Sequence, residues 1–130
     1  MKMKDNIKKF HRSLKHALDG LAYAVAHERN FRIELFIAVL VLVLIFLFKV
    51  KNWEAIVLIL MIMWVLIAEL INTVLERIVD ILKPRIHPYA RLIKDLMAAA
   101  VLISALVAIV VGIIIFYPYL KELIGFLKIN

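Results

Sequence analysis

The sequence predicts an all-α membrane protein: an N-terminal amphipathic surface helix followed by three transmembrane helices. Three observations carry this. Of 130 residues, 65% are hydrophobic, more than so short a chain could hide from water in a soluble fold. Three segments carry no charge at all: Leu35–Phe48, Ala55–Ala68 and Leu96–Leu120. Glycine and proline number three each, which excludes collagen-like and low-complexity chains. One domain over 1–130 is expected, with a surface helix over 1–30 and spans over 31–50, 53–82 and 95–120.

Before the first span, Ile7, Phe10, Leu14, Ala17, Leu18, Leu21 and Val25 recur at steps of three and four, with Lys8, Arg12, Lys15 and Asp19 opposite. This periodicity predicts a helix lying on a membrane surface, its cations toward anionic headgroups. A signal peptide would begin its apolar region much nearer the N-terminus. The first two charge-free segments have fourteen residues each, roughly 21 Å of helix against a bilayer core of about 30 Å. They span only if their flanking turns enter the membrane too, and those turns contain Glu34 and Glu69. Ionisable residues at membrane depth are costly and usually functional. The third segment, of 25 residues, crosses with some tilt.

Between the first two spans, Lys49 to Glu54 reads as a tight hairpin with Trp53 at the interface. Between the second and third, Lys83-Pro84-Arg85-Ile86-His87-Pro88 reads as a water-exposed loop, and Tyr117-Pro118-Tyr119 marks the last interface. Residues 1–32 hold eight Lys/Arg and Arg77–Lys94 hold five, against four on the opposite side. The positive-inside rule then puts the N-terminus and the second loop in the cytoplasm and the C-terminus outside. The net charge of +7 serves this orientation, so no nucleic-acid partner is inferred.

The chemistry concentrates in Glu69, Asn72, Glu76 and Asp80. At about 100° per residue these fall within roughly 80° of one helix face, a stripe that starts in the membrane and runs toward water. A solvated helix face accounts for Asp80 and Arg77 but poorly for Glu69, which directly follows fourteen uncharged residues. Stacked carboxylates repel unless a cation lies between them, and oxygen ligands of this kind suit Mg²⁺ bound together with substrate phosphates. A second cluster runs from His27 to Glu34; on its own it reads as an ordinary interfacial helix with Glu28 paired to Arg32 four residues on. A third, Lys94-Asp95, reads on its own as a helix start. All three sit on one membrane side, where acids for a metal and a lysine for phosphate make phosphoryl transfer plausible.

Other classes fall away. Absence of cysteine removes thiolate metal sites and cysteine nucleophiles. The isolated glycines form no phosphate loop, which excludes a soluble-type kinase. His11, His16, His27 and His87 lack metal-ligand spacing. The small residues Ala105, Ala108 and Gly112 read as a close helix-packing stripe. Two rivals stand beside phosphoryl transfer: a small proton-coupled transporter using Glu69, although Leu96–Leu120 offers no ionisable relay, and a pore-forming structural protein, which leaves the Glu69–Asp80 spacing unexplained.

The string Glu69-x-x-Asn72-x-x-x-Glu76-x-x-x-Asp80, followed by Lys94-Asp95-x-x-x-Ala99-Ala100-Val101-Leu102, resembles the small prokaryotic diacylglycerol kinase/undecaprenol kinase family. Glu28-Arg29-Asn30-Phe31-Arg32-Ile33 looks more like the undecaprenol-using, Gram-positive branch. The similarity runs from about Gly20 to Pro118. It implies an ATP- and Mg²⁺-dependent lipid kinase of the bacterial plasma membrane, a homotrimer whose active sites are shared between protomers on the cytoplasmic side. Carried over residue by residue, the resemblance implies that Glu28 and Glu76 ligand Mg²⁺, Glu69 is the general base and Asn72 positions it. Lys94 would neutralise phosphate and Asp95 would hold the nucleotide, with Asp80 and His87 on the nucleotide side. Asn30, Arg32 and Glu34 fall where the family meets its lipid. Met97 and Ala98 depart from residues that are small or hydroxylated in some members, near that substrate.

Overall fold

A computed structural model describes residues 2–82 and 89–129. Among them are four helices: α1 (Lys2–His27), α2 (Arg29–Phe48), α3 (Asn52–Leu82) and α4 (Tyr89–Ile129). α2, α3 and α4 are each long and apolar enough to cross a membrane. With 20 residues α2 is roughly 30 Å long, the thickness of a bilayer core. It reaches that length by taking in the turn that carries Glu34, and α3 continues through Glu69 in the same way.

α1 and α2 are separated by a single residue. Glu28 leaves the helix with φ −100° and ψ 114°, two residues before the boundary expected from hydropathy. The Arg32 guanidinium fixes the break, donating to the carbonyls of Val25 (3.2 Å) and Ala26 (2.9 Å). A cation on the orphan carbonyls of a helix C-terminus both satisfies them and complements the helix dipole. Residues 6–23 of α1 are exposed, and Ala24 is the first buried one.

The α2–α3 hairpin is tighter than its sequence suggests. Lys49 closes α2 in the left-handed region, φ 49° and ψ 47°, with its N–H on the Ile45 carbonyl. Trp53 and Glu54 already belong to the first turn of α3. Glu54 receives the Lys51 N–H at 3.1 Å, half of a capping box. Val50 and Ala55, which flank that cap, pack in one cluster with Leu58, Ile115 and Phe116. The rings of Phe48 and Phe116 lie 5.9 Å apart, and those of Phe48 and Tyr119 lie 6.2 Å apart. A connected apolar cluster therefore sits at the hairpin end of the bundle, while Phe31, the most deeply buried large side chain, lies toward the other end.

α4 continues through Pro118 to Ile129 rather than stopping near residue 120. A proline removes one backbone hydrogen bond, and the next turn is anchored from outside. The Tyr119 hydroxyl donates to the buried Glu54 carboxylate and accepts the Lys51 N–H at 3.3 Å. Tyr119→Phe would leave Glu54 without that donor, and buried acceptors are costly to orphan. We expect it to lower the unfolding temperature in detergent without loss of helix content by circular dichroism. An unchanged melt would contradict the tie.

Midway along the bundle, Trp64 Nε1 donates to Ser104 Oγ at 3.1 Å, linking α3 to α4. Beside this link lies a cavity of about 460 Å³ between α2, α3 and α4. Ala105, Ala108 and Gly112 line it, so within the one chain the small-residue stripe borders a space. A Cβ added at Gly112 would meet nothing within 4 Å. Small residues permit close approach only where a facing ridge fills the groove.

Candidate functional site

The stripe on α3 forms as its periodicity predicts, and its burial falls along the helix. Glu69 is 2% exposed, Asn72 and Thr73 are buried, Glu76 is half-buried and Asp80 is exposed. From Glu54 to Glu69 the helix rises roughly 22 Å, so this polar cluster stands at the other end of the bundle from the connected apolar cluster. Four buried oxygens here have no hydrogen-bond partner: Glu69 Oε2, Asn72 Oδ1, Thr73 Oγ1 and, from α2, Glu34 Oε2. Buried polar atoms are normally paired. Unpaired acceptors concentrated at one point favour a ligand that brings a cation or a proton donor.

The first turns of α2 complete the cluster. Glu69 feels the charges of Glu76 and Glu28, and the side chains of Asn30 and Asn72 lie beside it. Glu34 is coupled in turn to Glu69 and borders the apolar cavity. The fold thus gathers Glu28, Asn30, Glu34, Glu69, Asn72 and Glu76, six of the residues expected from sequence.

Glu28 does not pair with Arg32. The Glu28 carbonyl still accepts the Arg32 N–H at 3.3 Å, as an N-cap does, but the Arg32 guanidinium is turned back onto α1 and away from the carboxylate. Glu28 Oε1 instead receives Arg77 Nη2 at 2.7 Å, from α3. The Arg77 guanidinium also stands over the Tyr23 ring, 5.8 Å from its centroid, and Tyr23 stacks on His27 at 4.2 Å. Tyr23 and Arg77 are the neighbours that sequence reading missed. Glu28 and Arg77 are 49 residues apart, and no periodicity connects them.

Lys94 and Asp80 pair at 2.8 Å between α4 and α3, and the Asp80 charge also reaches Arg77. Asp95 and Ala98 are exposed on α4 and join neither network. His87 lies outside the described residues.

Among the described residues, no three His, Asp or Glu side chains converge as a ready metal cage. Mg²⁺ does not require one: it usually keeps water and binds through one or two carboxylates plus substrate phosphates. Glu28 and Glu76, both coupled to a buried carboxylate with an unpaired oxygen, fit that mode. The donors are hard oxygens, which suits Mg²⁺ rather than a softer metal.

Comparison with known proteins agrees with this picture. The family model for prokaryotic diacylglycerol kinase matches residues 15–116. A diacylglycerol kinase of Synechocystis is 38% identical over 85% of this chain, and the match spans 64% of that relative's length. The undecaprenol kinase of Bacillus subtilis is 32% identical over 90% of this chain and 95% of its own. The diacylglycerol kinase of Escherichia coli K12 is 30% identical over 90% of this chain and 98% of its own. With three apolar helices of membrane-crossing length and these bacterial kinases as relatives, the chain belongs to the prokaryotic diacylglycerol kinase family, phosphotransferases with an alcohol acceptor.

Proposed function

We propose that this protein transfers the γ-phosphate of ATP to the hydroxyl of a membrane lipid, diacylglycerol or undecaprenol, with Mg²⁺. The observation that carries the reading is the buried Glu69 carboxylate, with one unpaired oxygen, among Glu28, Glu76 and Asn72. Glu69 takes the proton of the lipid hydroxyl as that oxygen attacks the γ-phosphorus. The bond from phosphorus to the β-γ bridging oxygen breaks, and ADP leaves. Asn72, beside Glu69, orients it. Glu28 and Glu76 would hold Mg²⁺, which when bound neutralises phosphate charge. Lys94, together with Asp80 and Asp95, forms the nucleotide side, and His87 belongs there by its place in the chain. Asn30 and Glu34 would meet the lipid head; Arg32, whose guanidinium caps α1, and Ala98 belong to the lipid side by their place in the chain.

The apolar cavity that begins at Glu34 supports this reading, because a hydrocarbon tail lying there would bring its polar end toward Glu34 and Glu69. A water-poor site also limits idle hydrolysis of ATP. The exposed apolar side chains Ile7, Phe10, Leu14 and Leu18 of α1 support its role as a surface helix that meets the cytoplasmic leaflet. In the same reading the C-terminus is outside, and the active unit is a homotrimer with sites shared between protomers. The family assignment favours phosphotransfer over proton-coupled transport through Glu69.

The test is transfer of label from [γ-³²P]ATP in mixed micelles with Mg²⁺, offering diacylglycerol and undecaprenol in parallel. We expect labelled lipid above a Glu76→Gln blank, and the better acceptor identifies the physiological class. No label in either lipid from a well-folded preparation would overturn the proposal.

A further inference from the structure

Glu28 is the one carboxylate of the cluster that no helix holds. Its backbone is extended, between α1 and α2, and its side chain makes no capping bond. Groups on regular elements are positioned more accurately than groups in connections. Glu28 also lies close enough to the buried Glu69 for its charge to be felt there. What holds it is Arg77, at 2.7 Å on Oε1. Arg77 is itself located by the Tyr23 ring on one side, and Tyr23 by its stack on His27.

We propose that Arg77 is a positioning residue for the metal–nucleotide site: clamped between Tyr23 and Glu28, it fixes where the Glu28 carboxylate stands. This rests on the reading of Glu28 as a metal ligand. The Arg77 side chain is 52% exposed while that of Glu28 is 17% exposed, so the pair is not a buried staple whose purpose is packing. Arg77 binds one carboxylate oxygen, which leaves Oε2 for a second cation. Carboxylates that ligate metals are themselves held by outer hydrogen bonds, and losing such a partner typically weakens metal binding about 10- to 100-fold. The planar fork of arginine can stack and donate at once, whereas a lysine ammonium is a flexible point charge. Arg77 adjoins Glu76 in sequence, so one turn of α3 supplies both a ligand and the group that aims the other ligand.

The experiment is Mn²⁺ binding, read by electron paramagnetic resonance, to the full chain in detergent with a non-hydrolysable ATP analogue. We expect Arg77→Ala to weaken Mn²⁺ binding by about tenfold or more and Arg77→Lys to restore only part of it. Tyr23→Leu should shift affinity the same way by less. Unchanged or tighter Mn²⁺ binding in a folded Arg77→Ala overturns the proposal, and so does a lowered unfolding temperature with unchanged Mn²⁺ affinity, which would make Arg77 a structural tie only. If Arg77→Ala does not fold, wild-type affinity in both Arg77→Lys and Tyr23→Leu overturns it. Glu28→Gln separates the levels. Weakened binding there with normal binding in the Arg77 variants removes this inference alone, whereas normal binding in Glu28→Gln removes the metal role of Glu28 and the inference with it.

Discussion

Glu76→Gln is expected to reduce phosphate transfer by roughly 10³-fold or more while leaving the protein at least as stable. The functional loss follows from the reading of Glu76 as a Mg²⁺ ligand. Metal stabilisation of developing phosphate charge supplies several kcal/mol, and each 1.4 kcal/mol is about tenfold in rate. The stability follows from electrostatics. Glu76 is half-buried and its charge repels Glu69 nearby, so a neutral isostere relieves strain rather than removing support. Active sites commonly carry this trade between activity and stability. Two measurements decide: the Mg²⁺ dependence of the initial rate, and the thermal melt in the same detergent. Residual activity that recovers at high Mg²⁺ would identify weakened metal affinity. Loss of activity together with a lowered melt would assign Glu76 to the fold instead, and full activity would remove it from the site.

The contrast between what is legible in this sequence and what is not follows from the kind of information each pattern carries. A run of uncharged residues announces a span, and all three helices formed around such runs are present. Helical periodicity announces a face, and Glu69, Asn72, Glu76 and Asp80 do pass in order from buried to exposed. Neither pattern says which neighbour a face will meet. Arg77 reads as a solvated cation until α1 is folded back beside α3 and brings Tyr23 and Glu28 to it. Arg32 reads as half of a local ion pair until the chain breaks at Glu28 and exposes the end of α1 for it to cap. The break itself has no proline or glycine to mark it. Its cause is the capping contact, which exists only in three dimensions. At Pro118 the sequence marks an interface, and α4 runs on through it with the Tyr119–Glu54 contact in the next turn.

Such contacts act at element ends, where a single side chain outweighs propensity. The interior of the polar stripe was easier because four residues on one helix share a geometry that the backbone imposes. The lipid acceptor is harder still. Relatives named for diacylglycerol and for undecaprenol match this chain at 38% and 32% identity, and the cavity beside Glu34 is apolar along its length, with no polar side chain beyond Glu34 to discriminate one hydrocarbon from another. In the proposed function, selectivity would then come from the head of the lipid, at Asn30, Glu34 and Glu69.

Glu69→Gln separates chemistry from binding. If Glu69 is the general base, its amide keeps the shape of the side chain but cannot take the lipid proton. Positioned general bases contribute about 10²- to 10⁴-fold, and a fall in kcat of that size is expected. ATP binding should be unchanged, because the proposed nucleotide side lies further along α3 and on α4, around Asp80 and Lys94, which pair with each other. The substitution also places an amide N–H where a carboxylate oxygen is buried without a partner. The amide keeps one oxygen to accept from the neighbouring Asn30 and Asn72 side chains and removes a buried charge, so the melt should hold or rise. Measured together, a fall in kcat with an unchanged dissociation constant for the ATP analogue assigns Glu69 to proton transfer. A matched loss of ATP affinity would make Glu69 part of the metal–nucleotide site instead, and activity within a few-fold of wild type would show that the lipid hydroxyl gives up its proton elsewhere.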